Sequence, residues 1–379
     1  MRYTIKFCVF ITVILCFSFA LKATGENEAA AELYSADEFD VESIIDAIPD
    51  ETAKKLPMGD IFSSEDIYES FSFEYFFTLI KNTLFSAISD SVGTLSSVMG
   101  LIIAASALSA LKGVLRSDSL TVLFEFLSCI CLMLMLYNSI YSLVESVRLY
   151  LTQLTGIVGA MIPVMIAIGT AGGNLSASGV SANAMMLGIA FVESLAVGGL
   201  FPVLQLSFGI SIASGFGGLR LSGISKLVRG VFTWILGLIS AVISAVMTFQ
   251  TSIASRADSL SMRAVKFAAS KAVPVVGGIA SDAVSAVAGS LSLVRTTVGW
   301  VGVIIIAVLT LPVIVKIILM RLCVNISCTA ADIIGLERER NLLSDMCGLL
   351  GFLAAVCVIC ALMFVYAAAL FAKTASALM

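Results

Sequence analysis

The residues that could do chemistry in this chain are few. Histidine is absent from all 379 positions, so His-based triads, His-ligated zinc and the usual neutral-pH proton shuttle are excluded together. Cys357 and Cys360 have the spacing of a redox pair, but they sit in an apolar run without the polar setting that lowers a thiol pKa. They read as helix packing. Of the nine cysteines, Cys8 and Cys16 fall near the amino terminus, Cys129 and Cys131 inside an apolar run, and Cys323, Cys328 and Cys347 at the edges of others, which argues against a disulfide framework. Two acids, Glu125 and Glu193, interrupt apolar segments. An ionised carboxylate in hydrocarbon is costly, so both are expected to face a bundle interior or a water-filled space, as structural acids or as a proton or ion relay. No Gly-Lys phosphate loop and no cluster of catalytic side chains occurs, and no metal or cofactor site is expected.

One stretch is richer in chemistry than a connector needs. Between residues 252 and 297 lie Arg256, Asp258, Arg263, Lys266 and Lys271, then Pro274, Gly277 and Gly278, then Asp282 and small and aliphatic residues up to Arg295. The spacing predicts two amphipathic helices joined by a Pro-Gly turn, a hairpin at the membrane interface or dipping into the bundle. Its bases suit either a partner or anionic lipid.

The elements that position these residues follow from composition. Hydrophobic residues make up 59% of the chain and charged residues 13%, with a mean hydropathy of +1.05, so a lipid bilayer is the solvent for most of it. The expected fold is all-α, a polytopic transmembrane helix bundle behind a short exported segment. Residues 1–24 read as a signal peptide, with Arg2 and Lys6 ahead of an apolar core from Phe7 to Leu21 and small residues at Ala20 and Ala23. Residues 25–85 form an acidic exported segment in which Val41, Ile44, Ile45 and Ile48 recur at helical spacing up to Pro49. Phe71, Phe73, Tyr75, Phe76 and Phe77 then lead toward the headgroup layer. Residues 86–379 form the membrane domain.

Spans need roughly 20 apolar residues each. Length alone gives Val92 to Leu111, Leu120 to Val144, Leu151 to Ala171, Val231 to Thr251, Val298 to Met320 and Cys347 to Phe371. The stretch from Val180 to Ser214, with Gly198, Gly199 and Pro202, is either one long kinked span or two packed segments. A double pass is preferred, because it puts Arg220, Lys226 and Arg229 on the cytoplasmic side with Lys112 and Arg116. Gly156, Gly159, Gly188 and Gly237 are expected to let helices approach closely.

The order and spacing of several short motifs resemble the stage III sporulation protein AE family. They are Gln250, the run from Asp258 to Lys266, Val273-Pro274-Val275-Val276-Gly277, Asp282-Ala283, Val298-Gly299 with Gly302, and Ile162-Pro163-Val164-Met165 followed by Gly172-Gly173 and Ser176-Ala177. The resemblance implies a non-enzymatic subunit of a channel or secretion-like complex between mother cell and forespore, required for late forespore gene expression. Its implied partners are companion proteins of the same operon and a forespore membrane protein, with the lipid bilayer around it and a homo-oligomer left open. Nucleic acid is not among them. A secondary transporter is the competing reading, although no internal repeat supports it.

Overall fold

The computed structural model describes residues 42–54, 73–110, 118–217, 222–272 and 277–376. The signal peptide expected at 1–24 lies outside them, as does most of the acidic segment. Every regular element among the described residues is helical. Two short helices, α1 (Glu42–Asp46) and α2 (Asp50–Ala53), precede the long ones: α3 (Phe73–Ala110), α4 (Asp118–Ala171), α5 (Leu175–Ser194), α6 (Phe201–Gly217), α7 (Ser222–Ala272), α8 (Gly277–Ile334) and α9 (Glu337–Ser376). A π-helical turn, Leu195–Leu200, joins α5 to α6 without a reversal of the chain.

The chain therefore makes fewer passes than the sequence suggested. Five helices are long and apolar enough to cross a membrane, and α3 contributes a shorter apolar run, Ser91–Ala107. The two spans expected at Leu120 to Val144 and Leu151 to Ala171 are one helix, α4. Between the two expected spans Glu145 and Arg148 form an exposed i,i+3 pair at 3.9 Å while Val147 and Tyr150 on the opposite face are buried. Nothing between them breaks a helix, since neither Gly nor Pro is present. Likewise, Val180 to Ser214 is a single helical rod with a π turn and not the preferred double pass. The apolar shafts run 36 to 46 residues, about 54 to 69 Å at 1.5 Å per residue.

Side-chain contacts fix two ends of an up-and-down bundle. At one end α4 turns into α5 through a Schellman motif: Asn174 N donates to Gly169 O at 2.8 Å and Gly173 N to Thr170 O at 3.1 Å. Gly173 has φ +76°, a conformation that other L-residues adopt only with strain. Met262 of α7 stands against this turn where a Cβ at Gly173 would project. At the opposite end α8 turns into α9 by the same device, with Leu336 N donating to Ala331 O and Gly335 at φ +86°. Helix α7 ends and α8 begins at the Gly173 end, while α3 and α6 end and α4 and α7 begin at the Gly335 end.

Helices α8 and α9 form the largest pair, with α3 and α4 against α8 and α7 against α9. The core is aliphatic, with Leu132, Leu154, Ile157, Ile306, Leu353 and Val356 almost wholly buried. Close helix approach depends on one expected glycine, Gly188, and on others outside that set. A Cβ at Gly299 would lie 2.7 Å from Ala372 Cβ, and one at Gly302 would strike Met161. Of the expected set, Gly188 meets Phe364 at 3.1 Å, whereas Gly156 and Gly237 face open space. In the acidic segment Ile44 and Ile48 are buried in the same core against α4, so this part is docked to the bundle. Pro49 stands at the N-cap of α2.

Candidate functional site: charged clamps at both ends and an open carboxylate groove

The expected hairpin at 252–297 is not a separate unit. Its first helix is the direct continuation of the span in α7, because no Gly or Pro interrupts the chain between Gly237 and Pro274. Its second helix is the start of α8. Gly277 and Gly278 are not in the turn; they begin the helix. Pro274 lies outside the described residues, as do the side chains of Lys266, Lys271 and Asp282.

Along this arm Arg256 and Arg263 are exposed, and Asp258 is turned inward at 5% exposure. Its carboxylate accepts from Ser176 N at 3.2 Å and from Ala177 N at 2.7 Å, so it caps the amino terminus of α5 from another helix. A carboxylate there satisfies backbone donors that have no intrahelical partner and meets the positive end of the helix dipole. The charge of Asp258 also acts on Arg295 of α8. Arg295 is 1% exposed and stacks its guanidinium 4.2 Å from the centroid of the Phe371 ring. Four helices thus meet at this clamp: α5, α7, α8 and α9.

A second clamp closes the Gly335 end. Buried Arg229 donates from Nε to Ser225 O at 3.2 Å and from Nη1 to Asp345 O at 2.8 Å. Its guanidinium lies 3.2 Å from where a Cβ on Gly348 would stand, so only glycine leaves it that room. The Asp345 side chain, 2% exposed, is buried beside it. Ser128 of α4 donates to Glu339 of α9 at 2.5 Å, and Arg340 pairs with Asp332 at 3.3 Å across the turn. Between the clamps a neutral knot ties three helices: the Tyr150 hydroxyl shares a hydrogen bond with Thr310 Oγ1 at 3.1 Å and donates to Cys357 O at 3.4 Å.

The two intramembrane acids part company. The side chain of Glu125 lies outside the described ones. Of the two settings expected for it, a bundle interior or a water-filled space, Glu193 does not take the first; it is exposed in a lateral groove of about 470 Å³ between α4 and α5, beside Gly159, Pro163 and Ala190. Pro163 has no amide hydrogen, so the Gly159 carbonyl lacks its helical donor. Cys357 and Cys360 are free thiols, both buried in the core. No group of three or more metal-ligating side chains occurs among the described residues.

Sequence reasoning singled out Asp258 but missed Arg229, Asp345 and Glu339 as buried groups. The only available signal was that each lies at the end of an apolar run.

Long apolar helices, charge confined largely to their ends and interiors tied by polar clamps define a polytopic helical membrane protein. The model of the stage III sporulation protein AE family matches residues 61–375, and the chain belongs to that family. It is a sporulation membrane-complex family and not a known enzyme family. No curated protein and no solved structure matches the chain.

Proposed function

We propose that this chain is a non-enzymatic integral membrane subunit of a channel or secretion-like complex that links mother cell and forespore. In this reading it works with companion stage III sporulation proteins and a forespore membrane protein, and late forespore gene expression depends on it. The family match carries the reading. A clamped bundle supports it, with exposed bases, Arg256 and Arg263, near the end of the apolar shaft Gly223–Ala264, on an arm held by Asp258. Six passes put that arm at the same end of the bundle as the start of α3. With the acidic segment exported, the arm faces the space between the two membranes. Lys112, Arg116, Arg220, Lys226 and Arg229 then fall at the cytoplasmic end in this reading, opposite the bases of the arm.

Charge reversal at Arg256 and Arg263 tests the docking role. The double variant to Glu should lower heat-resistant spore counts at least tenfold at unchanged protein level. Wild-type sporulation with that variant would reject it.

A secondary transporter is the second reading, favoured by the π turn Leu195–Leu200 close to Glu193, since broken helices build midplane ion sites. Solute uptake into proteoliposomes of the pure chain, abolished by Glu193→Gln, would establish it.

A further inference from the structure

Glu193 stands at the midpoint of the apolar shaft Leu175–Ser211 and on its outer surface. Among the described residues no hydrogen bond or ion pair to its carboxylate is recorded, while the other lateral charges of this face, Glu145 and Arg148, have each other. The position poses a dilemma with one outcome. If the hydrocarbon core, about 30 Å thick, is centred on the shaft, a carboxylate faces lipid at mid-depth, which membrane proteins avoid. If the core is shifted toward one end, Glu193 reaches the headgroups, but roughly half of a shaft about 55 Å long stands in water. Exposed apolar residues of that half then need cover, Met186 and Leu187 or Leu206 according to the direction of the shift. In both cases protein lies against this face.

The groove is shaped for that cover. Gly159 and Ala190 keep its floor low, so another backbone can approach, and its volume of about 470 Å³ admits several side chains. Its lining is apolar apart from Glu193, and Pro163 leaves the Gly159 carbonyl with spare accepting capacity. Both polar groups accept or attract positive charge. We infer that the groove between α4 and α5 seats a membrane helix of another protein, and that this helix brings a Lys or Arg side chain to Glu193. The inference rests on the reading of the chain as a complex subunit.

Carbodiimides report the cover, because they react with accessible carboxyl groups. The pure chain in phosphatidylethanolamine–phosphatidylglycerol liposomes and membranes of sporulating cells are each treated with lipid-soluble dicyclohexylcarbodiimide or a water-soluble carbodiimide. The adduct at Glu193 is quantified by mass spectrometry against that at exposed Asp332. The expected result is labelling by the lipid-soluble reagent in liposomes, at least tenfold protection in sporulating membranes, and little reaction with the aqueous reagent in either. Equal labelling in both membranes, or ready labelling from water, overturns the proposal. Protection already present in liposomes points to a second copy and overturns it too. Glu193→Lys should abolish sporulation at normal abundance, and suppressors should exchange Lys or Arg for Asp or Glu within a partner's span. Normal sporulation of that variant overturns the proposal. Purification of the complex from the same membranes keeps the two readings apart, since an intact complex with a reactive Glu193 rejects only the groove.

Discussion

Replacing Asp258 by Ala should loosen the whole Gly173 end of the bundle. The carboxylate is 5% exposed and holds two backbone amides of α5, at 3.2 and 2.7 Å. Loss of a helix cap costs about 1 kcal/mol. Arg295, 1% exposed, also loses a favourable nearby charge. Hydrogen bonds to a charged group are worth about 1.5–3 kcal/mol each, and two are lost. The two bonds share one side chain and do not add fully, so about 3 kcal/mol is expected, which lowers the melting temperature of a chain of 379 residues by roughly 4 °C. The protein supplies its own reporter: Cys357 and Cys360 are 0% and 1% exposed, so a thiol-reactive fluorophore in detergent lights up when the core opens. If Asp258→Ala melts within about 2 °C of the parent, the clamp is not what holds these helices, and the reasoning fails.

Gly299→Leu should separate α8 from α9, since even a Cβ there would lie 2.7 Å from Ala372 Cβ. Its abundance in membranes should fall several-fold, while Gly237→Ala, with nothing within 4 Å, should accumulate normally on immunoblots. Tyr150→Phe removes the hydroxyl from the central knot yet strands no donor, because Thr310 still donates to Ile306 O at 2.6 Å. A loss of about 1 kcal/mol follows, read as a small drop in the same thermal assay. Arg229→Lys should behave almost as badly as Arg229→Ala. An ammonium cannot span Ser225 O and Asp345 O as the guanidinium fork does, so proteolysis at the Gly335 end should increase for both variants.

The sequence made the helical membrane class plain, because uniform hydropathy over long runs leaves few alternatives. It miscounted the passes for a physical reason. Glu145 and Arg148 look like a loop when charge is taken as the mark of water, but a neighbouring pair of opposite charges is equally at home on a helix surface. Span ends were missed in the same way at Thr251, which is buried mid-helix in α7. The outward turn of Glu193 could not be read at all, since a helix apolar on every side has no periodicity to say which face is inside. The clamps were hidden by distance along the chain. Asp258 reaches residues 81 and 82 positions away, and Glu339 bonds a serine 211 positions earlier. Asp258 stood out only as part of the charged stretch from 252 to 297, with nothing to point to Ser176 and Ala177. The tight turns at Gly172-Gly173 and Gly335 are the parts whose chemistry local sequence carries whole.

The Schellman turn at Gly173 bears on how the chain enters its membrane. No Asp, Glu, Lys or Arg lies between Arg148 and Glu193, so the turn and the halves of α4 and α5 that flank it form one charge-free wedge. Its tip needs little from water, since the hydrogen bonds of Gly173 and Asn174 to Thr170 and Gly169 already satisfy the helix end. Two helices joined this closely can pair as they leave the translocation machinery and cross as a hairpin, with no charge to drag through the hydrocarbon. Asp258, synthesised much later, then latches onto Ser176 and Ala177 after the hairpin is across, so the order of synthesis is also the order in which the bundle locks.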